Sequence, residues 1–286
     1  MRDTEAVTSQ QPPAETAPAG PDRGNEPFWW SADHGPLRLA FTSTAAGTMS
    51  LNTGVNGAKN RTRVEQHMKI PPGSLKFLNQ VHSATVHNAA ETPSAETSTT
   101  STPTTDHHPG TDHLEARTVL TGDAWISPEA GQPLAIMTAD CLPVLFAATR
   151  EPSAQGQSEY LTAAAHAGRI GLLGGVLENT VAALREHGAQ QISAWIGPAA
   201  CGDCYEVPQQ MVDELAVQRP ALASTTSWGT PALNLRAEAG RVLEAEGVLV
   251  SDIFGCTIED AALYSHRGSQ QTGAAEGRIA GLIWQR

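Results

Sequence analysis

Residues 134–148, LAIMTADCLPVLFAA, decide the fold. The run is apolar enough to be buried on both faces, as a central strand must be, yet Asp140 and Cys141 interrupt it. Pro143 follows two residues later, where a strand must bend or reach an edge. A buried carboxylate costs free energy unless it has partners, so this interruption marks a place where the core gives way to chemistry. Similar segments lie on either side. VLTGDAWIS (119–127), YLTAAAHAG (160–168) and QISAWIGPAA (191–200) read as strands, with PLRLAFTS (36–43) before them and VSDIFGCTI (250–258) and AGLIWQR (280–286) after. KFLNQVHSATVHN (76–88) reads as a long strand or a strand pair. Helical spacing of apolar residues runs through LLGGVLENTVAALREHG (172–188), closed by Gly188, and through VPQQMVDELAVQRP (207–220) and NLRAEAGRVLEAEGV (234–248). Strands that alternate with helices but also neighbour one another predict a single domain of mixed α/β or α+β type.

The 286 residues suffice for one large core. The net charge of −12 argues against nucleic acid and anionic membranes as partners. An anionic substrate must therefore meet a local group of arginines or backbone N–H donors. No run of about 18 apolar residues predicts a membrane-spanning helix. The N-terminus has no apolar signal region, so a cytoplasmic location is expected. Residues 1–34, rich in Pro, Ala, Thr, Glu and Gln, are expected to be a disordered tail, and the domain to span 35–286. A Thr/Ser/Pro-rich stretch at 89–117 reads as a flexible insertion, and its His107, His108 and His113 as solvated.

Three segments carry metal-type donors: His82 in FLNQVHSATV, Cys141 in the central run and His166 in YLTAAAHAGRIG. One thiolate and two imidazoles, borne on separate core segments, match the protein share of an open catalytic zinc site. A structural zinc takes four protein ligands instead. Singly, each has an ordinary reading as a hydrogen-bonded strand histidine, a small core cysteine or part of a tight turn. Gln80, two residues before His82, falls on the same strand face. The glycines after His166 (168, 171, 174 and 175) would let backbone N–H groups approach an anion at a helix start, without a P-loop or dinucleotide fingerprint. Cys201-x-x-Cys204 lacks a second CxxC or HxxxH, which argues against a zinc ribbon and for a structural role. In a chain of this kind the four cysteines read as thiols or ligands rather than disulfides. Basic residues are scarce, and Arg61, Arg63, Arg267 and Arg278 stand out among them.

The ordered set NQVHSATV, GDAWIS, ADCLPVLFAA, AAAHAGRIG, WIGPAACGDCYEV, LNLRAEAGRVLEAEGV, CTIEDAALYSHRG and EGRIAGLIW resembles the YfiH-like laccase-domain family over roughly residues 37–286. Members were first called multicopper polyphenol oxidases and are now described as zinc-dependent purine nucleoside phosphorylases with adenosine deaminase and methylthioadenosine phosphorylase activity. The resemblance implies a layered α/β/β/α arrangement of mixed sheets. It implies zinc rather than copper, held by His82, Cys141 and His166; copper oxidation is further disfavoured because no HxH pair occurs. It also implies purine nucleoside and phosphate as substrates: adenosine, inosine, guanosine or methylthioadenosine.

Asn60, Arg61, Gln80, Arg169, Arg267 and Arg278 then become substrate-binding candidates. Asp140 becomes a catalytic proton carrier or orienting group beside Cys141. The family's usual HAGWRG, TGRMA and STRxGGVS read here as HAGRIG (166–171), EGRIA (276–280) and TSTAAGTMS (42–50), which leaves the metal trio whole and alters its surroundings. Three other readings stand beside this one. Cys141 with His166 as base would make a cysteine hydrolase. The chain could be an editing factor for cell-wall precursors. A metal-stabilised interaction protein is the non-enzyme reading. The sequence gives no oligomeric state.

Overall fold

The computed structural model describes residues 27–91, 119–151 and 159–286. The expected tail up to residue 26, most of the insertion and its three histidines lie outside these residues. Twelve strands, β1 Phe28–His34, β2 Leu37–Thr42, β3 Val86–Asn88, β4 Ala124–Ser127, β5 Leu134–Thr138, β6 Leu142–Thr149, β7 Tyr160–Ala167, β8 Gln191–Ile196, β9 Ala223–Thr225, β10 Pro231–Leu233, β11 Leu249–Asp252 and β12 Ile279–Gln285, accompany six α-helices. The helices are α1 Gly54–Met68, α2 Arg169–Leu173, α3 Val176–Glu186, α4 Gln209–Ala216, α5 Leu235–Ala245 and α6 His266–Thr272. One sheet has the order β1-β2-β12-β5 and the other β11-β8-β6-β7-β4-β3, with β9 and β10 as a separate hairpin.

Alternation along the strands stacks these sheets. On β6, Leu142, Val144, Phe146 and Ala148 pack with Leu177, Val181 and Leu184 of α3 and Ala239, Val242 and Leu243 of α5. Leu145 and Ala147 of the same strand face the other way, into a core shared with Leu37, Leu39 and Phe41 of β2 and Ile279 and Ile283 of β12. The far face of the smaller sheet, Ala40, Leu282 and Trp284, lies under Val64 and Met68 of α1. The order of layers is therefore helix, sheet, sheet, helix, a single α+β domain as expected.

Three local expectations change. The boundary at residue 34 falls too late, because β1 begins at Phe28 and pairs with β2. Trp29 and Trp30 are only 6% and 8% exposed, and this aromatic burial outweighs the polar composition around them. The segment containing His82 is not a strand; only Val86–Asn88 forms one, parallel to β4, while Lys76 and Asn79 make isolated bridges to Leu134 and Thr121. The single helix expected across 172–188 is two, because Gly175 adopts φ +91, a left-handed conformation that ends α2 and starts α3. The long run itself is β5, a turn at residues 139–141, and β6, with the strands in different sheets. Asp140 and Cys141 thus sit where the chain crosses between layers.

The sheets meet most closely at Gly197, just beyond β8, where an added Cβ would lie 2.3 Å from the Phe41 ring. Phe41 is fully buried and has nowhere to move. Gly197→Ala is expected to lower stability by about 1–3 kcal/mol in denaturant titration, with metal content per folded chain unchanged.

Candidate metal centre

The site is assembled around a carboxylate that sequence reasoning left unassigned. Asp123, immediately before β4, is fully buried. Its main-chain oxygen accepts from the His166 N–H at 2.7 Å, part of the register between β4 and β7. Its side chain accepts from Ser83 N–H at 2.6 Å, Ser83 Oγ at 2.7 Å, His82 N–H at 2.9 Å and Val81 N–H at 3.3 Å. Three successive backbone N–H groups thus fold around one anion, a nest. The loop that forms it places His82 at φ +63, in the left-handed region that few non-glycine residues enter. Asp123 Oδ1 also lies 2.8 Å from His166 Nδ1. Because an ionised carboxylate only accepts, Nδ1 carries the hydrogen and Nε2 faces the site.

His82, Cys141 and His166 converge, with one donor atom from each within 4.8 Å of the others. Cys141 Sγ lies 3.7 Å from His82 Nε2, and the two imidazole rings stand 4.8 Å apart, nearly edge to face. A tetrahedral zinc at Zn–S about 2.3 Å and Zn–N about 2.0 Å would draw such atoms to roughly 3.5 Å, a small adjustment. His166 is buried, Cys141 half-buried and His82 exposed, which leaves one side open. Gly168 faces this space: a Cβ there would sit 2.6 Å from His82 Cδ2 and 2.9 Å from Cys141 Sγ. The donor set and the room that Gly168 leaves fit a three-ligand metal site.

Charge follows the same geometry. Burial pushes the Asp123 carboxyl up, but the hydrogen bonds from His166 and Ser83 outweigh it and hold it at about 2. Burial alone would lower His166, yet Asp123 and Cys141 raise it to about 9. Burial raises the Cys141 thiol, and both histidines bring it down to about 6. Without metal, the pair is a thiolate beside an imidazolium at neutral pH.

The remaining candidates fall into two groups. Asp140, at φ +86, accepts from Thr257 Oγ1 at 2.7 Å, Ser265 Oγ at 2.6 Å and Arg267 N–H at 2.7 Å. Its carboxylate therefore ties the turn carrying Cys141 to residues 257–267 and to the first turn of α6. Arg267 reaches on to the Glu206 carbonyl at 3.0 Å and covers the Tyr205 ring. Gln80 pairs through both amide atoms with the Met137 main chain, at 2.7 and 2.9 Å, anchoring the His82 loop to the end of β5.

Asn60, Arg61 and Arg278 gather instead at residues 48–50. Asn60 donates to the Thr48 carbonyl at 3.1 Å, and Arg61 to the Met49 and Ser50 carbonyls at 3.3 and 2.7 Å. The Arg278 carbonyl accepts from Met49 N–H at 2.9 Å. Arg169 opens α2 directly after Gly168. A cavity of about 590 Å³ lined by Phe28, Lys69, Trp284 and Arg286 includes none of the trio.

An open site of one thiolate and two imidazoles, set between the sheets of an α/β/β/α sandwich, has the donor set of a metal centre. The chain belongs to the family described as multi-copper polyphenol oxidoreductase laccase, whose pattern matches residues 34–286. It is 37% identical over 230 residues to a purine nucleoside phosphorylase of Streptomyces coelicolor, covering 79% of this chain and 81% of the relative. A purine nucleoside phosphorylase of Corynebacterium glutamicum is 31% identical over 264 residues, 87% of this chain and 94% of the relative. Crystal structures of a Neisseria meningitidis protein and of YlmD from Geobacillus stearothermophilus each superpose with a TM-score of 0.68. They are 29% and 27% identical, and each comparison covers 91% of this chain and 99% of the other. The copper in the family's description finds a single cysteine–histidine trio here, and no second histidine cluster accompanies it among the described residues.

Two outcomes test the centre. Asp123→Asn should weaken zinc binding about 10- to 100-fold, measured by competition with a chromophoric chelator. Zinc added to metal-free protein at pH 7.5 should displace the His166 Nε2 proton, releasing about one proton per metal to an indicator dye. Release should rise below pH 6, where Cys141 is also protonated, and vanish above pH 9, where His166 is already neutral.

Proposed function

We propose that this chain is a zinc-dependent purine nucleoside enzyme whose centre is held by His82, Cys141 and His166. Membership in a family whose relatives are named purine nucleoside phosphorylases carries the reading, together with an intact trio that keeps one side open. When bound, zinc supplies a Lewis acid that can polarise a substrate group or lower the pKa of a water. This chain's residues supply the rest. Asp123 holds the His166 tautomer and the His82 loop. Asp140 acts as a positioning group that fixes the Cys141 turn, since its oxygens already accept three hydrogen bonds.

Phosphorolysis requires phosphate held against the anomeric carbon while positive charge develops on the ribose. Arg267, tied through its N–H to Asp140, and Arg169, beside Gly168, are the cationic residues on segments that adjoin the trio, and the phosphate is assigned to them. Gln80 belongs to the same loop system. Asn60, Arg61 and Arg278 form the more distant wall of the substrate site. The open side also accommodates a water, and this supports hydrolytic deamination of adenosine as an accompanying activity. A location in the cytoplasm accords with purine nucleoside substrates.

A second reading has its own observation. The thiolate of Cys141, at about 6, beside the His166 imidazolium, at about 9, is the ionisation state of a nucleophilic cysteine pair. Metal analysis separates the two, since zinc occupies the thiolate.

The direct test is chromatography of products from inosine, guanosine, adenosine and methylthioadenosine, each with and without phosphate. The expected result is phosphate-dependent base release in at least one case. Cys141→Ser and His166→Ala should lose at least about 100-fold in kcat/KM together with the metal, while Arg267→Ala should chiefly raise the KM for phosphate. Zinc-loaded protein that turns over none of these substrates would overturn the assignment.

A further inference from the structure

We propose a second, structural zinc site formed by Cys201, Cys204, Cys256 and Glu259, separate from the centre above and independent of the activity assigned to it. The topology builds it. β8 and β11 are parallel neighbours in the larger sheet, so the loops leaving their C-terminal ends run side by side. Ala199 and Cys256 continue that pairing as a parallel bridge, with Ala199 N–H donating to the Gly255 carbonyl at 3.0 Å and Thr257 N–H to the Ala199 carbonyl at 3.1 Å. A turn with Cys204 N–H on the Cys201 carbonyl at 3.1 Å then brings the CxxC pair over Cys256.

The three sulfurs and a Glu259 carboxylate oxygen all lie within 4.8 Å of one another. A tetrahedral zinc spaces its thiolate sulfurs about 3.8 Å apart, so the cluster is close to ligand spacing before any metal enters. The three cysteines are each 5% exposed or less and are free, while Glu259 lies on the solvent side and gives an entry path. Four protein donors close the coordination, the arrangement of a structural rather than a catalytic zinc.

Burial pushes the Cys204 and Cys256 thiols up, and at Cys256 nearby hydrogen-bond donors offset this only in part. The main-chain N–H groups of Cys201, Ile258 and Glu259 face the Cys256 sulfur, as hydrogen-bond donors do around ligating cysteines. The Arg236 guanidinium, buried, tied to the Ile196 and Gly197 carbonyls at the end of β8 and paired with the Asp252 carboxylate, lies close to Cys201 and Cys256. Its Nε has no hydrogen-bond partner. The donor chemistry, three thiolates and one carboxylate, is that of zinc among common divalent cations.

The site would brace the first centre. Thr257, next to Cys256, donates to Asp140, and Ala200, next to Cys201, donates its N–H to the Asp140 carbonyl at 3.0 Å. Both residues that flank the second cluster thus hold the residue preceding Cys141.

Elemental analysis of the full chain, purified under reducing conditions without chelator, tests the proposal. About two zinc ions per chain are expected, about one in Cys141→Ser and about one in the Cys204→Ser/Cys256→Ser double variant. The double variant should also melt earlier. If it fails to fold, titration of metal-free wild-type protein with cobalt(II) decides. Two equivalents should bind, one of them with the stronger sulfur-to-cobalt charge transfer of a three-thiolate site. A single metal that Cys141→Ser abolishes would overturn the proposal. So would a disulfide among Cys201, Cys204 and Cys256, seen as a loss of free thiols in denatured, freshly purified protein.

Discussion

A buried carboxylate organises this molecule. Asp123 has no contact with solvent, and leaving a charge there without partners would cost several kcal/mol. Its partners are what gives the site a shape. The His82 loop has few ladder bonds of its own, and the N–H groups of Val81, His82 and Ser83 turn inward to the carboxylate instead. The same oxygens fix His166 on the opposite strand with Nδ1 protonated. One anion therefore orients two proposed ligands from segments far apart in sequence. It can do so because β4 and β7 are antiparallel neighbours whose register sets Asp123 beside His166.

Asp140 does on the other side what Asp123 does beneath. The chain must leave one sheet at Thr138 and enter the other at Leu142. The short turn accommodates this with a left-handed aspartate whose side chain is fully engaged. Its donors come from the segment that also carries Cys256, so the crossing point, the C-terminal loops and the cysteine cluster are one mechanical unit. Strain at His82 and Asp140 is tolerated because hydrogen bonds to a carboxylate define each position. A substitution that released either anion would relax the loop as well as remove a charge.

The sequence showed the layers and the trio for different reasons. The central strands were legible because burial on both faces leaves a long apolar run, and the helices because one face is periodic. The trio was legible only as part of an ordered set of motifs, since a histidine or cysteine alone has an ordinary reading. Asp123 escaped notice although GDAWIS was in view. Its partners are backbone N–H groups some 40 residues earlier, and no side-chain pattern reports a nest. Cys256 escaped association with the CxxC pair because their proximity follows from parallel pairing of β8 with β11, a long-range contact that local spacing does not encode. β1 was hidden because three consecutive aromatic residues, Phe28 to Trp30, stand at the edge of a polar, proline-rich stretch.

The altered motifs gain a physical meaning from where they lie. TSTAAGTMS forms short turns that Asn60, Arg61 and Arg63 hold through carbonyl oxygens, so these side chains spend part of their donor capacity on their own chain. A guanidinium has five N–H donors, and carbonyl anchors leave some free while fixing the plane in which they point. Position 169 changes more. The family's HAGWRG carries its arginine one residue later, where Ile170 stands here, whereas Arg169 starts a helix directly after the glycine that faces the trio. Ile170 is exposed, so the exchange moves the cation by one position within the first turn of α2. The change alters the charge beside Gly168 and leaves the three donors His82, Cys141 and His166 assembled.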